Sequence, residues 1–275
     1  MERDFDFERE TAVTPVGDGR YVASLDRAWW VHRGPNGGYL AAIVLRALTD
    51  AVGDGARSPR SLTVHYASPP AEGQLEIATR LERTGKSLTS CSARLEQDGR
   101  LIGLALAAFS RPRTGPSFCD LRMPEVPPPD ALMPGTIPPE APDIAHRWDS
   151  RFALGAPRMA GGDPTDEAIA ATWIRLPEGH TVDAIVAAAI TDAAIPAVFS
   201  RLDEPIIVPT VDLTVHFRSA LPAPGATPTD YVLAVFRTGA VAEGFLEEDG
   251  EIWAADGTLL AQSRQLATVL PMPSS

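Results

Sequence analysis

The sequence predicts an α+β protein in which one unit, a long apolar helix followed by an antiparallel sheet, occurs twice. Three observations carry this. The segment LTVHY at 62–66 returns as LTVHF at 213–217. LTDAV at 48–52 returns as ITDAA at 190–194, which registers a helix in each half. An Asp-Gly pair, Asp98-Gly99 and then Asp256-Gly257, separates the last two strand candidates of each half. A repeat of roughly half the chain is one fold duplicated, and duplication lets one copy lose chemistry that the other retains.

In the first half, YVASLDRAWW at 21–30 reads as an opening strand and turn. GPNGG at 34–38 breaks the chain before YLAAIVLRALTDAV at 39–52. There Leu40, Ile43, Val44, Ala47, Leu48 and Val52 make one stripe with few polar interruptions, so the helix is expected to be buried on most sides. Asn36 is placed to cap it. From Ser61 the period becomes two, and LTVHY, QLEIATRLER, SLTSCSARLEQ and LIGLALAAF are four strand candidates, the last pair joined by Asp98-Gly99.

Residues 111–142 hold ten prolines. Proline has no backbone donor for a ladder, so this stretch is expected to be an extended connection, packed along a surface through Phe118, Leu121 and Met123. The second unit repeats the first: HRWDSRFALG and ATWIRL as strands, TVDAIVAAAITDAAIPAVFSRL at 181–202 as the counterpart helix, then LTVHF and a long hairpin around Asp256-Gly257. The expected boundaries are 1–110 for the first unit, 111–145 for the linker and 146–275 for the second. A sheet wrapped around a helix, twice in one chain, is a tandem (double) hotdog.

At 275 residues and 44% hydrophobic, each unit can bury a core of its own. A formal charge of −12 argues against a polyanion partner, since phosphate binding needs clustered Lys and Arg. The charged N-terminus MERDFDFERE has no apolar core of a signal peptide, and AIVAAAITDAAIPAVF is interrupted by Asp192 and Pro196, so neither export nor a membrane span is expected. Cys91 and Cys119 have no metal spacing, and HExxH and Gly-x-Ser-x-Gly are absent. We therefore expect no metal, no cofactor, no nucleic acid, a cytoplasmic location and a homodimer or larger homo-oligomer.

Aligning the two copies points to a site. Ser61 faces Asp212, Thr84 faces Thr238, and Ala107 faces Gln265, so the second half has polar groups where the first has smaller or inert ones. In VDLTVHF, Val211, Leu213, Val215 and Phe217 share the face toward the helix, while Asp212, Thr214 and His216 share the other. Asp212 then points to solvent or to a groove between the halves. An aspartate is uncommon in a strand, and Gln265 has small neighbours that leave room for a ligand. A carboxylate, an amide and a hydroxyl suffice to hold and deprotonate a water. The Gly37-Gly38 entrance to the first helix is a candidate oxyanion site. His65 and His216 recur at equal places and read as packing or hydrogen-bonding groups as readily as catalytic ones. Asp26 and His32 form a weak pair, and Trp29-Trp30 read as core sooner than as an acyl groove.

WWVHRGPNGGYLAAIVLRAL, SLTVHYASPPAEG and WAADGTLLAQSRQLATVL together resemble the acyl-CoA thioesterase II family of double hotdogs. The resemblance implies hydrolysis of an acyl-CoA by a water that an Asp, a Thr and a Gln of the second hotdog activate. Position by position it implies Asp212, Thr238 in FRTGA, and Gln265 in SRQLA. The rivals are a hydratase or dehydratase of acyl thioesters on the same fold, and an acyl-binding protein without catalysis.

Overall fold

In the computed structural model, residues 5–138, 141–158, 161–163 and 165–272 are described. A short helix α1 (Phe7–Glu10) precedes β1 (Val13–Gly17) and β2 (Arg20–Leu25); then come α2 (Gly37–Val52), β3 (Ser58–Tyr66), β4 (Gly73–Thr84), β5 (Leu88–Gln97) and β6 (Arg100–Ser110). The second unit runs β7 (Asp149–Leu154), β8 (Ala168–Arg175), α3 (Ala184–Ile190), β9 (Ile206–Ile207), β10 (Thr210–Phe217), β11 (Val232–Thr238), β12 (Val241–Ala242), β13 (Phe245–Ala254), β14 (Leu259–Thr268) and β15 (Leu270–Pro271).

The strands pair in the order β1-β2-β4-β5-β6-β3-β10-β14-β13-β11-β8-β7, with β12 on β13 and a separate β9–β15 pair. Read from the centre outward, each half repeats the other. The two copies of the LTVH strand are themselves partners: Thr63 lies opposite Thr214, Leu62 opposite Val215 and Val64 opposite Leu213. Thr63 Oγ1 and Thr214 Oγ1 are 3.0 Å apart, and a pseudo-twofold axis runs between them. One continuous sheet thus replaces the junction between two separate hotdogs.

α2 fulfils its stripe, with ten of its residues buried from Gly38 to Leu48, and Asn36 caps it through a bond from Tyr39 N to Oδ1 at 3.0 Å. Its C-terminus closes on Gly53 in the left-handed region, the usual way to end a helix that must turn sharply. Asp98 (φ 52°) and Gly99 (φ 73°) make the β5–β6 turn with both central residues left-handed, the geometry that matches strand twist.

Two expectations change. The counterpart helix does not run through 181–202: it spans only Ala184–Ile190, residues 191–193 form a turn, and a 3-10 segment follows at Ala197–Ser200. Pro196 cannot donate into a continuing helix, and Thr191 Oγ1 bonds back to Ala188 O at 2.7 Å. The linker does pack, but Met123, Val126 and Leu132 do so, against Trp173 and Trp253, while Phe118 and Leu121 stay exposed. Trp173 Nε1 donates to Pro127 O at 2.9 Å, tying the linker to the second sheet. Trp29 belongs to the core, stacked on Tyr39 with ring centroids 4.9 Å apart.

Candidate functional site

The interrupted helix delivers Asp192 to the N-terminus of α2. Its Oδ2 accepts Asn36 Nδ2 at 2.9 Å and Gly38 N at 3.1 Å, and its carbonyl accepts Asn36 Nδ2 at 2.6 Å. α2 and α3 meet closely enough here that a Cβ on Gly38 would lie 2.3 Å from Ala189 O, and one on Gly37 2.9 Å from Asp192 Oδ2. Tyr66 OH closes this side by donating to Gly37 O at 2.7 Å.

On the inner face of the sheet, Glu248 and Gln265 stand opposite each other in the ladder and both are buried. Gln265 Nε2 donates to Glu248 Oε1 at 2.8 Å, and Glu248 Oε2 accepts Ala197 N at 2.6 Å. Gln265 Oε1 accepts Thr210 Oγ1 at 2.9 Å. Thr210 reaches this face because β10 carries a bulge at Val211, between the pairs Thr210↔Ala267 and Asp212↔Leu266. A bulge shifts the alternation by one residue, so Thr210 joins Leu213 and Gln265 on the inside and Asp212 stays outside.

Burial pushes the Asp192 carboxyl up to about 6 even though the Gly38 and Gly37 amides, Gln265 and Asn36 all pull it down. Burial likewise raises Glu248 to about 7, against the Ala197 amide and Gln265, with the Asp192 charge adding to the rise. Burial holds the Tyr66 hydroxyl well above its ordinary range, with Asp192 and Asp212 contributing. Asp192 is therefore a carboxylate poised to take a proton near neutral pH, the condition for a general base. The carboxamide has a second N–H, and Thr210 Oγ1, having donated, has lone pairs left to accept. Together these groups can hold a water beside Asp192.

Of the residues singled out from sequence, the structure brings Gln265, Gly37 and Gly38 into one cluster. Asp212 borders this cluster without a hydrogen bond into it: its charge reaches the Tyr66 hydroxyl, while its ladder partner is His65, with Nε2 3.9 Å from Oδ2. Thr238 is on the inner face one step beyond the pair Arg237↔Asp249, hence across from Glu248. It is buried, and its Oγ1 has no hydrogen-bond partner among the described residues; the hydroxyl that meets Gln265 is that of Thr210. Nor is Thr84 its repeat counterpart. Ile77 and Ala234 hold equal places through Leu95 and Ile252, and counting four residues on from each puts Leu81, not Thr84, at the place of Thr238. The pairing of Ala107 with Gln265 holds, since they lie opposite Leu62 and Leu213 respectively. The Gly38 amide is spent on Asp192, so it does not stand free as an oxyanion donor.

Asp192, Thr210 and Glu248 were not among those residues. Asp192 escaped because the comparison sought differences, and its counterpart Asp50 is also an aspartate. Among the described residues no group of three or more His, Cys, Asp and Glu side chains is arranged to hold a metal.

The chain matches the acyl-CoA thioesterase N-terminal domain over residues 26–110 and the acyl-CoA thioesterase C-terminal domain over residues 122–269. A protein of unknown function with a hot dog fold from Alicyclobacillus acidocaldarius superposes with a TM-score of 0.87 at 27% identity, covering 98% of both chains. An acyl-CoA thioesterase II from Mycobacterium marinum shares the fold with a TM-score of 0.76 at 20% identity, over 98% of this chain and 99% of its own. An uncharacterised protein of Mycobacterium tuberculosis is 24% identical over 90% of each chain. The tandem hotdog expected from the repeat is the observed fold.

Proposed function

The chain belongs to the acyl-CoA thioesterase family and is a thioester hydrolase, and on that premise we propose that Asp192, Gln265 and Thr210 activate the hydrolytic water. The carrying observation is the chain of contacts Thr210–Gln265–Glu248 set beside the Asp192 carboxylate. Asp192 takes a proton as the water oxygen bonds to the acyl carbon. The carbon–sulfur bond then breaks, the thiolate of coenzyme A leaves and is protonated, and free acid remains. The family resemblance implies Asp212, Thr238 and Gln265 for this work; the proposal keeps Gln265 and gives the other two roles to Asp192 and Thr210.

Both halves build this site: Asn36, Gly37, Gly38 and Tyr66 from the first, Asp192, Thr210, Glu248 and Gln265 from the second. Its test is thiol release from a panel of acyl-CoA chain lengths by wild type and by Asp192→Asn. Retained release in the variant would sink the assignment. Loss of enoyl-CoA absorbance without free thiol would favour the hydratase reading. Association of copies belongs to the same proposal: the outer face of the central strands exposes Leu104 and Leu106, which would be covered in a homodimer. Light scattering of wild type against Leu106→Asp measures it. No helix among the described residues is long and apolar enough to cross a membrane.

A further inference from the structure

The repeated segments LTVHY and LTVHF differ in a single heavy atom, the hydroxyl oxygen of Tyr66, which Phe217 lacks. Both rings pack into the core from the helix-facing side of their strands. They reach different ends of it, because the two strands run antiparallel. The Tyr66 end of β3 lies beside the start of β10, where His65 pairs with Asp212. Phe217 instead shares the wall of a cavity of about 390 Å³ with Asp50, the repeat counterpart of Asp192. The copy that carries the hydroxyl is therefore the one whose ring meets the Asp192 cluster.

The hydroxyl acts through one peptide. Gly37 O and Gly38 N belong to the same peptide group: the oxygen accepts Tyr66 OH at 2.7 Å, and the nitrogen donates to Asp192 Oδ2 at 3.1 Å. A peptide group is planar, so fixing its oxygen fixes the direction of its N–H. The glycine on each side gives this peptide little restraint of its own. A hydrogen bond at the carbonyl also polarises the group and makes its N–H the stronger donor. That N–H, with Asn36 Nδ2 at 2.9 Å on the same oxygen, sets the plane of the Asp192 carboxylate and so the direction of the lone pairs that receive a proton.

We propose that Tyr66 is a positioning residue for hydrolysis, holding the Gly37–Gly38 peptide so that its N–H aims and stabilises the Asp192 carboxylate. The proposal rests on the reading of Asp192 as the base. The titratable groups around Asp192 are Tyr66 itself, Glu248 and Asp212, the last beside His65. Tyr66 stays a neutral donor across the working range, held well above its ordinary value by burial first and by the Asp192 and Asp212 charges second. Without its hydroxyl the Gly38 amide binds ionised Asp192 less well, so the carboxyl keeps its proton to a higher pH.

The experiment is the pH dependence of kcat/KM for thiol release from one acyl-CoA by wild type, Tyr66→Phe, Phe217→Tyr and Asp192→Asn. Phenylalanine is what the sister strand carries at this place, so Tyr66→Phe keeps the packing, and its urea midpoint checks that. The acid limb of Tyr66→Phe should move up by about 0.5 pH unit or more. Its plateau kcat should fall roughly 3- to 10-fold, with KM within about 2-fold of wild type. Phe217→Tyr, which adds a hydroxyl beside Asp50, should leave limb and plateau unchanged. If the limb of Tyr66→Phe stays put while Asp192→Asn loses thiol release, the proposal falls and the base assignment stands. An equal shift in Phe217→Tyr, or a uniform loss of rate at every pH that tracks a lower urea midpoint, overturns it in the same way. Retained release by Asp192→Asn overturns both.

Discussion

Glu248 accepts the Nε2–H of Gln265 at 2.8 Å, and this contact decides which end of the carboxamide faces Thr210. Once ionised, above about pH 7, the Glu248 carboxylate only accepts, so the NH₂ turns to it and the carbonyl to the Thr210 hydroxyl. In the first repeat the same place holds Cys91, opposite Ala107, where there is no amide to orient. Glu248→Leu frees the carboxamide to flip, and kcat for thiol release should fall roughly 10- to 100-fold with KM little changed. Glu248→Gln, with one acceptor for two donors, should fall between. Equal loss in KM and kcat would point to a merely collapsed site.

The raised carboxyls give stability a definite pH direction. Asp192 goes from 3.8 to about 6 and Glu248 from 4.5 to about 7, so between those limits the folded chain holds more protons than the unfolded one. Their contribution is present below about pH 4 and is lost as pH rises through the folded values. For Glu248 alone the full loss is on the order of 3 kcal/mol. The urea midpoint of wild type should drop between pH 5 and pH 8 by more than that of Glu248→Gln. Activity runs the other way, rising as Asp192 ionises through about 6.

Asp192 and Asp212 can be told apart by paired substitutions. Asp192→Asn should lower kcat by about 100- to 10,000-fold, the usual size for a lost general base. Asp212→Asn, on the outer face beside His65, should stay near wild type. Thr210→Val should lower kcat about 10-fold or more, and Thr210→Ser should restore most of it, because only the hydroxyl meets Gln265.

The architecture was legible in the sequence, and so was one member of the proposed site. The repeat fixed architecture because LTVHY and LTVHF needed only local alternation to become central strands, and their mutual pairing then followed the duplication. Gln265 could be registered with Ala107 because both hairpins carry their irregularity at the same step, Leu95/Glu96 and Ile252/Trp253, so the offset between the copies is preserved. Thr210 was not, since alternation counted back from Leu213 puts it with Asp212, and only the bulge at Val211 reverses that. Asp192 was hidden in a stretch read as one continuous helix. A carboxylate in mid-helix looks like an interruption of an apolar run, whereas at the end of α3 it becomes the group that α2 receives.

The last prediction follows from that reception. Gly37 and Gly38 were expected to serve an oxyanion, yet their first duty is close approach. A Cβ at Gly38 would sit 2.3 Å from the backbone oxygen of Ala189, and neither helix can yield without repacking the core between them. Gly38→Ala should therefore cost about 1 to 3 kcal/mol or more, seen as a lower urea midpoint. At Gly37 the contacts are side-chain ends, Asp192 Oδ2 at 2.9 Å and the Tyr66 ring at 3.1 Å, which can give way. Gly37→Ala should fold with little loss of stability but displace the Asp192 carboxylate, so its deficit should appear in kcat. If the two variants lost stability and activity in the same proportion, the division between a packing glycine and a site glycine would fail.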